Sequence, residues 1–139
     1  TVSLLDGLVM ARSAFHHSFN YRSVVIFGRP EAVEDAAEKR RVLRLFVERV
    51  APGRWEELRT ATDEEIKGTG VVRLSLTEAS AKIRTGPPID DEEDYGDPVW
   101  AGVVPVSLVC GVAEPDSRLT PGIDESANIP KPGPLKDGA

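Results

Sequence analysis

The chain has 139 residues, 40% of them apolar, with 17 Lys plus Arg against 23 Asp plus Glu and a single cysteine. This length predicts one domain, the lone cysteine excludes an internal disulfide framework or a cysteine-based zinc site, and the net charge of −6 argues against a general nucleic-acid binder. No apolar stretch reaches the ~20 residues of a membrane span and no signal peptide is evident, so we predict a cytoplasmic protein with no membrane partner.

The acidity is concentrated in two segments. Six acids between Asp90 and Asp97 contribute −6 and the residues from Glu114 to Ala139 contribute −2, which leaves the rest of the chain at +2. The second segment has five prolines and no aromatic residue, so residues 116–139 are predicted to form a flexible tail behind a domain of residues 1–115. The acidic run lacks calcium-loop spacing and is predicted to be a solvated loop.

The first elements in chain order are strands. Val2 to Ala11 is apolar and β-compatible, with a kink or tight turn expected at Asp6-Gly7. Arg22 to Gly28 carries four successive apolar residues, the pattern of a strand buried on both faces.

A helix and a shorter helical turn follow. Asp35 to Val50 has apolar residues at helical spacing, and Asp35 with Glu38 resembles a capping box. Thr62 with Glu65 has the same spacing and predicts a short helical turn before Gly68.

Two further strands complete the prediction. Gly70 to Thr85 alternates with period two, and its phase inverts near Thr77, which predicts a β-bulge or kink there. Val99 to Val112 is predicted to be the last strand, with Pro105 at an edge or bulge. Four strands and one or two helices make the fold class mainly β.

Functional side chains are densest between Arg12 and Ser23, in the connection between two strands. Guanidinium and hydroxyl donors suit a phosphate monoester, and Arg12, Arg22 and Ser23 supply them. The alternative is a polar hairpin loop. Adjacent histidines in a strand point to opposite faces, and the sequence has no H-E-x-x-H motif or cysteine partner for a zinc site, so no metal site is predicted.

No residue is assigned a catalytic role, because the chain has no nucleophile elbow and Cys110 lies in an apolar strand. Outside the cluster, Lys82 shares a strand face with Arg84 and is a candidate for phosphate binding. Trp100 stands at a loop-to-strand junction, where an indole ring packs in an interface, against a ligand or in the core.

Residues 5–28 (LDGLVMARSAFHHSFNYRSVVIFG) closely resemble the flavin-nucleotide-binding branch of the pyridoxamine 5′-phosphate oxidase-like superfamily, to which nitroimidazole-resistance-type proteins are close relatives. Further matching segments are 52–55 (PGRW), 78–88 (EASAKIRTGPP) and 97–105 (DPVWAGVVP). The resemblance covers roughly residues 1–115 and is specific because the motifs occur together and in order.

The resemblance implies a split β-barrel that forms a homodimer and binds FMN at the subunit interface. It places Ser23 against the flavin and Trp100 near it. The family's early strands have no counterpart in this sequence, so the barrel is predicted to be incomplete at its N-terminus. The oxidase's R-x-H element is also missing after Trp100, which argues against pyridoxamine phosphate oxidase activity. The cluster and the resemblance together predict these cofactor-binding residues: Arg12, Ser13, His17, Asn20, Tyr21, Arg22, Ser23, Lys82 and Trp100.

The sequence therefore predicts an FMN-dependent oxidoreductase acting on a small organic substrate. Two alternatives stay open. One is a non-catalytic flavin- or haem-binding module, and the other is a truncated remnant that holds no cofactor.

Overall fold

The computed structural model describes residues 1–134, which fold into two compact units. Residues 1–28 and 75–108 form one, called here the sheet unit, and residues 29–74 with the described residues from 109 onward form the other, called the helical unit. The elements of the described chain are β1 (Val2–Met10), β2 (Ser18–Ile26), β3 (Glu31–Ala32), α1 (Ala36–Val50), α2 (Asp63–Gly68), β4 (Val72–Arg73), β5 (Ala79–Arg84), β6 (Gly102–Pro105), β7 (Val109–Cys110) and β8 (Gly133–Pro134).

The sheet unit is built on a four-stranded antiparallel sheet in the order β5-β2-β1-β6. The strands β1 and β2 form its central hairpin, and their connection contains a 3₁₀ turn at Ala14–His16. The hairpin therefore presents the segment that the sequence marked as densest in functional side chains.

The break predicted at Asp6-Gly7 is confirmed as an irregularity in β1. Leu5 pairs with Tyr21 and Gly7 with Asn20, so Asp6 is an extra residue without a partner in the register. A Cβ atom on Gly7 would lie 3.0 Å from Val103 Cγ1 and 3.2 Å from the Val104 carbonyl oxygen. A larger residue at this position would therefore crowd β6, which approaches the backbone closely.

The phase inversion near Thr77 has a different cause from the predicted one. The segment is two strands, because β4 pairs with β3 in the helical unit whereas β5 pairs with β2 in the sheet unit. Thr77 lies in a turn, with its Oγ1 atom 2.8 Å from Ser75 Oγ. The prediction of one bulged strand is therefore wrong: the pattern changes phase where the chain leaves one sheet for another.

Both predicted helices are confirmed in the helical unit. Asp35 caps α1, its carboxylate accepting from the Glu38 amide at 2.8 Å. The capping box of α2 is complete, because Thr62 and Glu65 each accept from the other's backbone amide.

The segment predicted as one last strand, Val99 to Val112, contains the two short strands β6 and β7, and β7 pairs with β8.

Glu57 Oε1 accepts hydrogen bonds from Ser126 Oγ at 2.7 Å and Asn128 Nδ2 at 2.5 Å. The flexible tail of residues 116–139 stays a prediction, and its residues 135–139 lie outside the described part of the chain.

The fold class is confirmed as mainly β with two helices. The buried apolar residues within residues 1–134 are few: Val9, Ala11, Ala51 and Ile66. Val24 and Phe27 are 37% and 64% exposed, so the prediction of a strand buried on both faces is wrong for Arg22–Gly28. Among the described helices, none has the length and apolar character required to cross a membrane.

Candidate functional site

A row of polar side chains crosses one face of the sheet. Ser23 on β2 stands opposite Ser3 on β1 and opposite Lys82 on β5, and directly opposed residues share a face. The Ser3 and Ser23 hydroxyl oxygens lie 2.8 Å apart. This row places two hydroxyls and an ammonium group side by side on an exposed sheet surface. Ser3 was not among the predicted site residues, because only the strand register shows that it lies beside Ser23.

Alternation along β2 separates the predicted binding residues into two sets. Tyr21 and Ser23 lie on one face of the sheet, whereas Asn20 and Arg22 lie on the other. Arg22 forms a bidentate ion pair with Asp6, with Nη2–Oδ1 at 2.9 Å and Nε–Oδ2 at 3.0 Å. Arg22 and Ser23 therefore do not converge on one point.

Asn20 is buried and its side chain bonds within the sheet unit. Its Nδ2 donates to the Gly86 carbonyl oxygen at 3.0 Å, and its Oδ1 accepts from Arg84 Nη1 at 2.6 Å. These two bonds tie the end of β5 to the central hairpin, so Asn20 holds the sheet in place.

Arg12 forms a buried pair with the first residue of the acidic run. Its amide donates to Asp90 Oδ1 at 3.0 Å and its Nη1 to Asp90 Oδ2 at 2.9 Å, and the Asp90 side chain is 0% exposed. The guanidinium also stacks over the Tyr95 ring, 5.0 Å from its centroid. The prediction of a fully solvated acidic loop is therefore wrong at Asp90.

Two opposing effects determine the ionisation of Asp90. Burial acts to raise the pKa of its carboxyl, but the hydrogen bonds from the Arg12 amide and guanidinium, with the charges of Arg12 and His16, lower it overall. Arg12 Nε is also buried, and within residues 1–134 it has no hydrogen-bond partner. One donor of this guanidinium thus lacks an acceptor among the described residues.

Ser13 holds both histidines of the connection. Its hydroxyl lies 2.9 Å from His16 Nδ1, and its carbonyl oxygen lies 2.8 Å from His17 Nδ1. His17 is exposed, whereas the His16 side chain is only 19% exposed. Ser13 therefore orients the imidazoles.

His16 also lies beside the acidic run. One ligand atom from each of His16, Asp90 and Asp94 lies within 4.8 Å of the others. Asp90 already accepts two bonds from Arg12, so we assign no ion to this group. Sequence spacing could not have revealed it, because the chain between His16 and Asp90 is long.

Trp100 lies just before β6 and is 68% exposed. Its ring covers Gly102, where an added Cβ would lie 2.9 Å from Trp100 Cζ2. The indole is held against the backbone of the strand that follows it, and most of its surface stays accessible.

The antiparallel sheet and the polar row on it define a mainly β protein with hydroxyl and ammonium groups side by side on one sheet face. The sequence model of the pyridoxamine 5′-phosphate oxidase family matches residues 1–83. The chain belongs to this family, as its motifs implied.

Two solved structures are similar to the chain. The flavocytochrome Anf3 from Azotobacter vinelandii is 51% identical with a TM-score of 0.86, and the match covers 92% of this chain and 60% of that one. The FAD and haem binding protein from Mycobacterium smegmatis is 36% identical with a TM-score of 0.84, covering 91% of this chain and 62% of that one. The chain thus spans about three fifths of each. No functionally curated protein matches it.

Proposed function

We propose that this protein binds a flavin nucleotide together with haem and acts as an oxidoreductase on a small organic substrate. The observation that carries the proposal is the 51% identity to a flavocytochrome over 92% of the chain. A bound flavin supplies hydride and single-electron chemistry, and the protein supplies position and electrostatics. FMN was predicted from sequence, and the mycobacterial structure is of an FAD-binding protein, so the flavin released from the purified protein decides between the two.

The polar row fits a flavin nucleotide by its chemistry. Ser23 and Ser3 offer hydroxyls for ring oxygens and nitrogens, and Lys82 offers a positive charge for a phosphate. The unpartnered Arg12 Nε is a further donor suited to an anionic oxygen. Tyr21 follows on the same sheet face and offers an aromatic ring beside the row.

The first test is the flavin itself. The purified full-length protein is expected to show flavin absorbance, and chromatography of the released cofactor identifies FMN or FAD. A protein that carries no flavin, and whose melting temperature does not rise with either added nucleotide, would refute the proposal.

Lys82→Met tests the polar row. Losing a charge-assisted contact of ~1.5–3 kcal/mol weakens binding on the order of tenfold to a hundredfold. Lys67→Met is the matched control, since Lys67 is an exposed lysine on α2 in the helical unit. Equal flavin affinity in the two variants would remove Lys82 from the site.

Reduction of the bound flavin separates an enzyme from a binding module. Anaerobic mixing with reduced nicotinamide nucleotides or candidate electron donors is expected to bleach the flavin absorbance, and an added substrate to restore it. Flavin that binds but exchanges no electrons with any donor would favour the non-catalytic alternative.

We also propose that a second copy of the chain covers the sheet, as the family resemblance predicts. Large apolar side chains on the Arg22 face of the sheet are open to solvent, among them Val2 at 67%, Leu4 at 42% and Ile83 at 65% exposed. Contiguous exposed apolar surface of this kind marks association sites. Light scattering on the eluted protein is expected to give twice the chain mass, and a monomeric mass at micromolar concentration would refute the dimer.

A further inference from the structure

His17 presents an imidazole whose neutral tautomer is determined by one hydrogen bond. Its Nδ1 lies 2.8 Å from the carbonyl oxygen of Ser13. A carbonyl oxygen accepts but does not donate, so Nδ1 carries the proton. In the neutral ring the lone pair is then on Nε2. Because His17 is exposed, this lone pair belongs to an accessible side chain.

His16 is arranged in the opposite way. Its side chain is mostly buried, its Nδ1 contacts the Ser13 hydroxyl, and its Nε2 lies 4.0 Å from a carboxylate oxygen of Asp91. Each ring nitrogen of His16 thus has a polar neighbour in the protein. Of the two neighbouring histidines, His17 is therefore the one with an available ligand atom.

We propose that His17 Nε2 is an axial ligand of the haem iron. This inference rests on the haem part of the proposed function. Histidine is the common proximal ligand of haem, and metal-binding imidazoles almost always donate their other N–H to a carbonyl, a carboxylate or water. The bond from His17 Nδ1 to Ser13 supplies that second interaction without the metal, so the ring orientation is fixed before the iron binds.

The neighbours of His17 suit the apolar macrocycle. Phe15 is 89% exposed and Phe19 is 57% exposed, two residues to either side of His17. Exposed aromatic rings within two residues of an exposed imidazole offer apolar cover for a haem plane. His16, which lies between Phe15 and His17, is mostly buried and does not compete with His17 for the haem iron.

The test is a titration of the full-length protein with ferric haem, followed by absorption and electron paramagnetic resonance spectra. The wild type is expected to develop the shifted, sharpened Soret band of a nitrogen-ligated haem. His17→Ala is expected to bind haem at least about tenfold more weakly and to lose this band, since a ligand is removed. Added imidazole should restore the band. His16→Ala is the matched control and keeps the wild-type spectrum.

His17→Met provides a second variant, because it replaces the nitrogen ligand by a sulfur ligand, and the spectrum must change to that of the new ligand. Unchanged spectra in both His17 variants would overturn the assignment while leaving haem binding intact. A wild-type protein that binds flavin but no haem would instead refute the haem part of the proposed function. Loss of the band in His16→Ala as well would contradict the distinction between the two imidazoles.

Discussion

Two Arg–Asp pairs in the sheet unit have the same chemistry and different surroundings. Arg12 and Asp90 pair in the connection region, with side chains 22% and 0% exposed. Arg22 and Asp6 pair on the sheet, with side chains 43% and 29% exposed. From sequence the two arginines were equivalent candidates for a phosphate.

The difference shows that burial determines what each pair contributes. Partly exposed ion pairs add ~0–1 kcal/mol, because solvent screens them and ordering the side chains costs entropy. A buried pair adds little over an apolar replacement, but removing one partner leaves a charge without compensation. The Arg12–Asp90 pair is thus a point of vulnerability, and the Arg22–Asp6 pair is not.

Arg12→Ala is expected to have the largest effect. It leaves the Asp90 carboxylate buried without its guanidinium, and we expect the melting temperature to fall on the order of 10 °C. Thermal unfolding followed by circular dichroism measures this. The double variant Arg12→Leu with Asp90→Asn is expected to recover part of the loss, since no uncompensated charge remains. A fall no larger than that of Asp6→Asn would mean that burial does not distinguish the pairs.

Gly7→Ala is expected to follow in size. The new methyl group meets Val103 and the backbone of Val104, and crowding of this kind costs ~1–3 kcal/mol. Urea unfolding measures the change. Gly70→Ala is the control, because a Cβ there meets nothing within 4 Å. Equal stability of both variants would show that β6 can move away from β1.

Lowering the pH is expected to weaken the stabilisation that the buried Arg12–Asp90 pair gives to the fold. Because the pKa of Asp90 is lowered in the folded protein, its stabilisation is fully present above the ordinary aspartate pKa of about 3.9 and is lost as the pH falls through the lower folded value. Urea unfolding of wild type and Asp90→Asn between pH 6 and 3 is expected to show a steeper loss for the wild type below about pH 4. Glu38 and Glu65, whose pKa values lie at about 2, contribute the same background to both proteins. Parallel curves would contradict the assignment.

Asp6→Asn is expected to have the smallest effect. The substitution removes the charge of a partly exposed pair and keeps the size of the side chain, so the free energy of unfolding should fall by ~1 kcal/mol or less. The same urea titration measures it, and raising the salt concentration should shrink the difference from wild type further. A larger loss would show that the extra residue in β1 needs its carboxylate.

Local signals in the sequence were sufficient for the elements that local interactions determine. The capping residues Asp35 and Thr62 predicted the two helices, and the Asp6-Gly7 pair predicted the irregularity in β1. The prediction for the segment around Thr77 was wrong for a physical reason. A period-two pattern shows which side chains share a face, but it does not show which strand is the partner. Only the register reveals that β4 and β5 belong to different sheets.

The candidate site was predictable in composition and less so in arrangement. The sequence predicted binding groups in the connection between β1 and β2. It did not predict that Ser3 and Asp90 lie beside them, because strand pairing and loop packing bring distant parts of the chain together. Ser13 was a candidate ligand by type, and its main role in the structure is to orient two imidazoles.

The hydrogen bonds from Ser126 and Asn128 to Glu57 have a consequence for limited proteolysis. Trypsin can cut after Arg118, which is exposed, whereas Lys131 precedes a proline and resists cleavage. A chain cut after Arg118 keeps Ser126, Asn128 and β8 on the C-terminal fragment, which stays bonded to Glu57 and paired with β7 on the other fragment. Nicked protein is therefore expected to give two bands on a denaturing gel and a single peak on a sizing column.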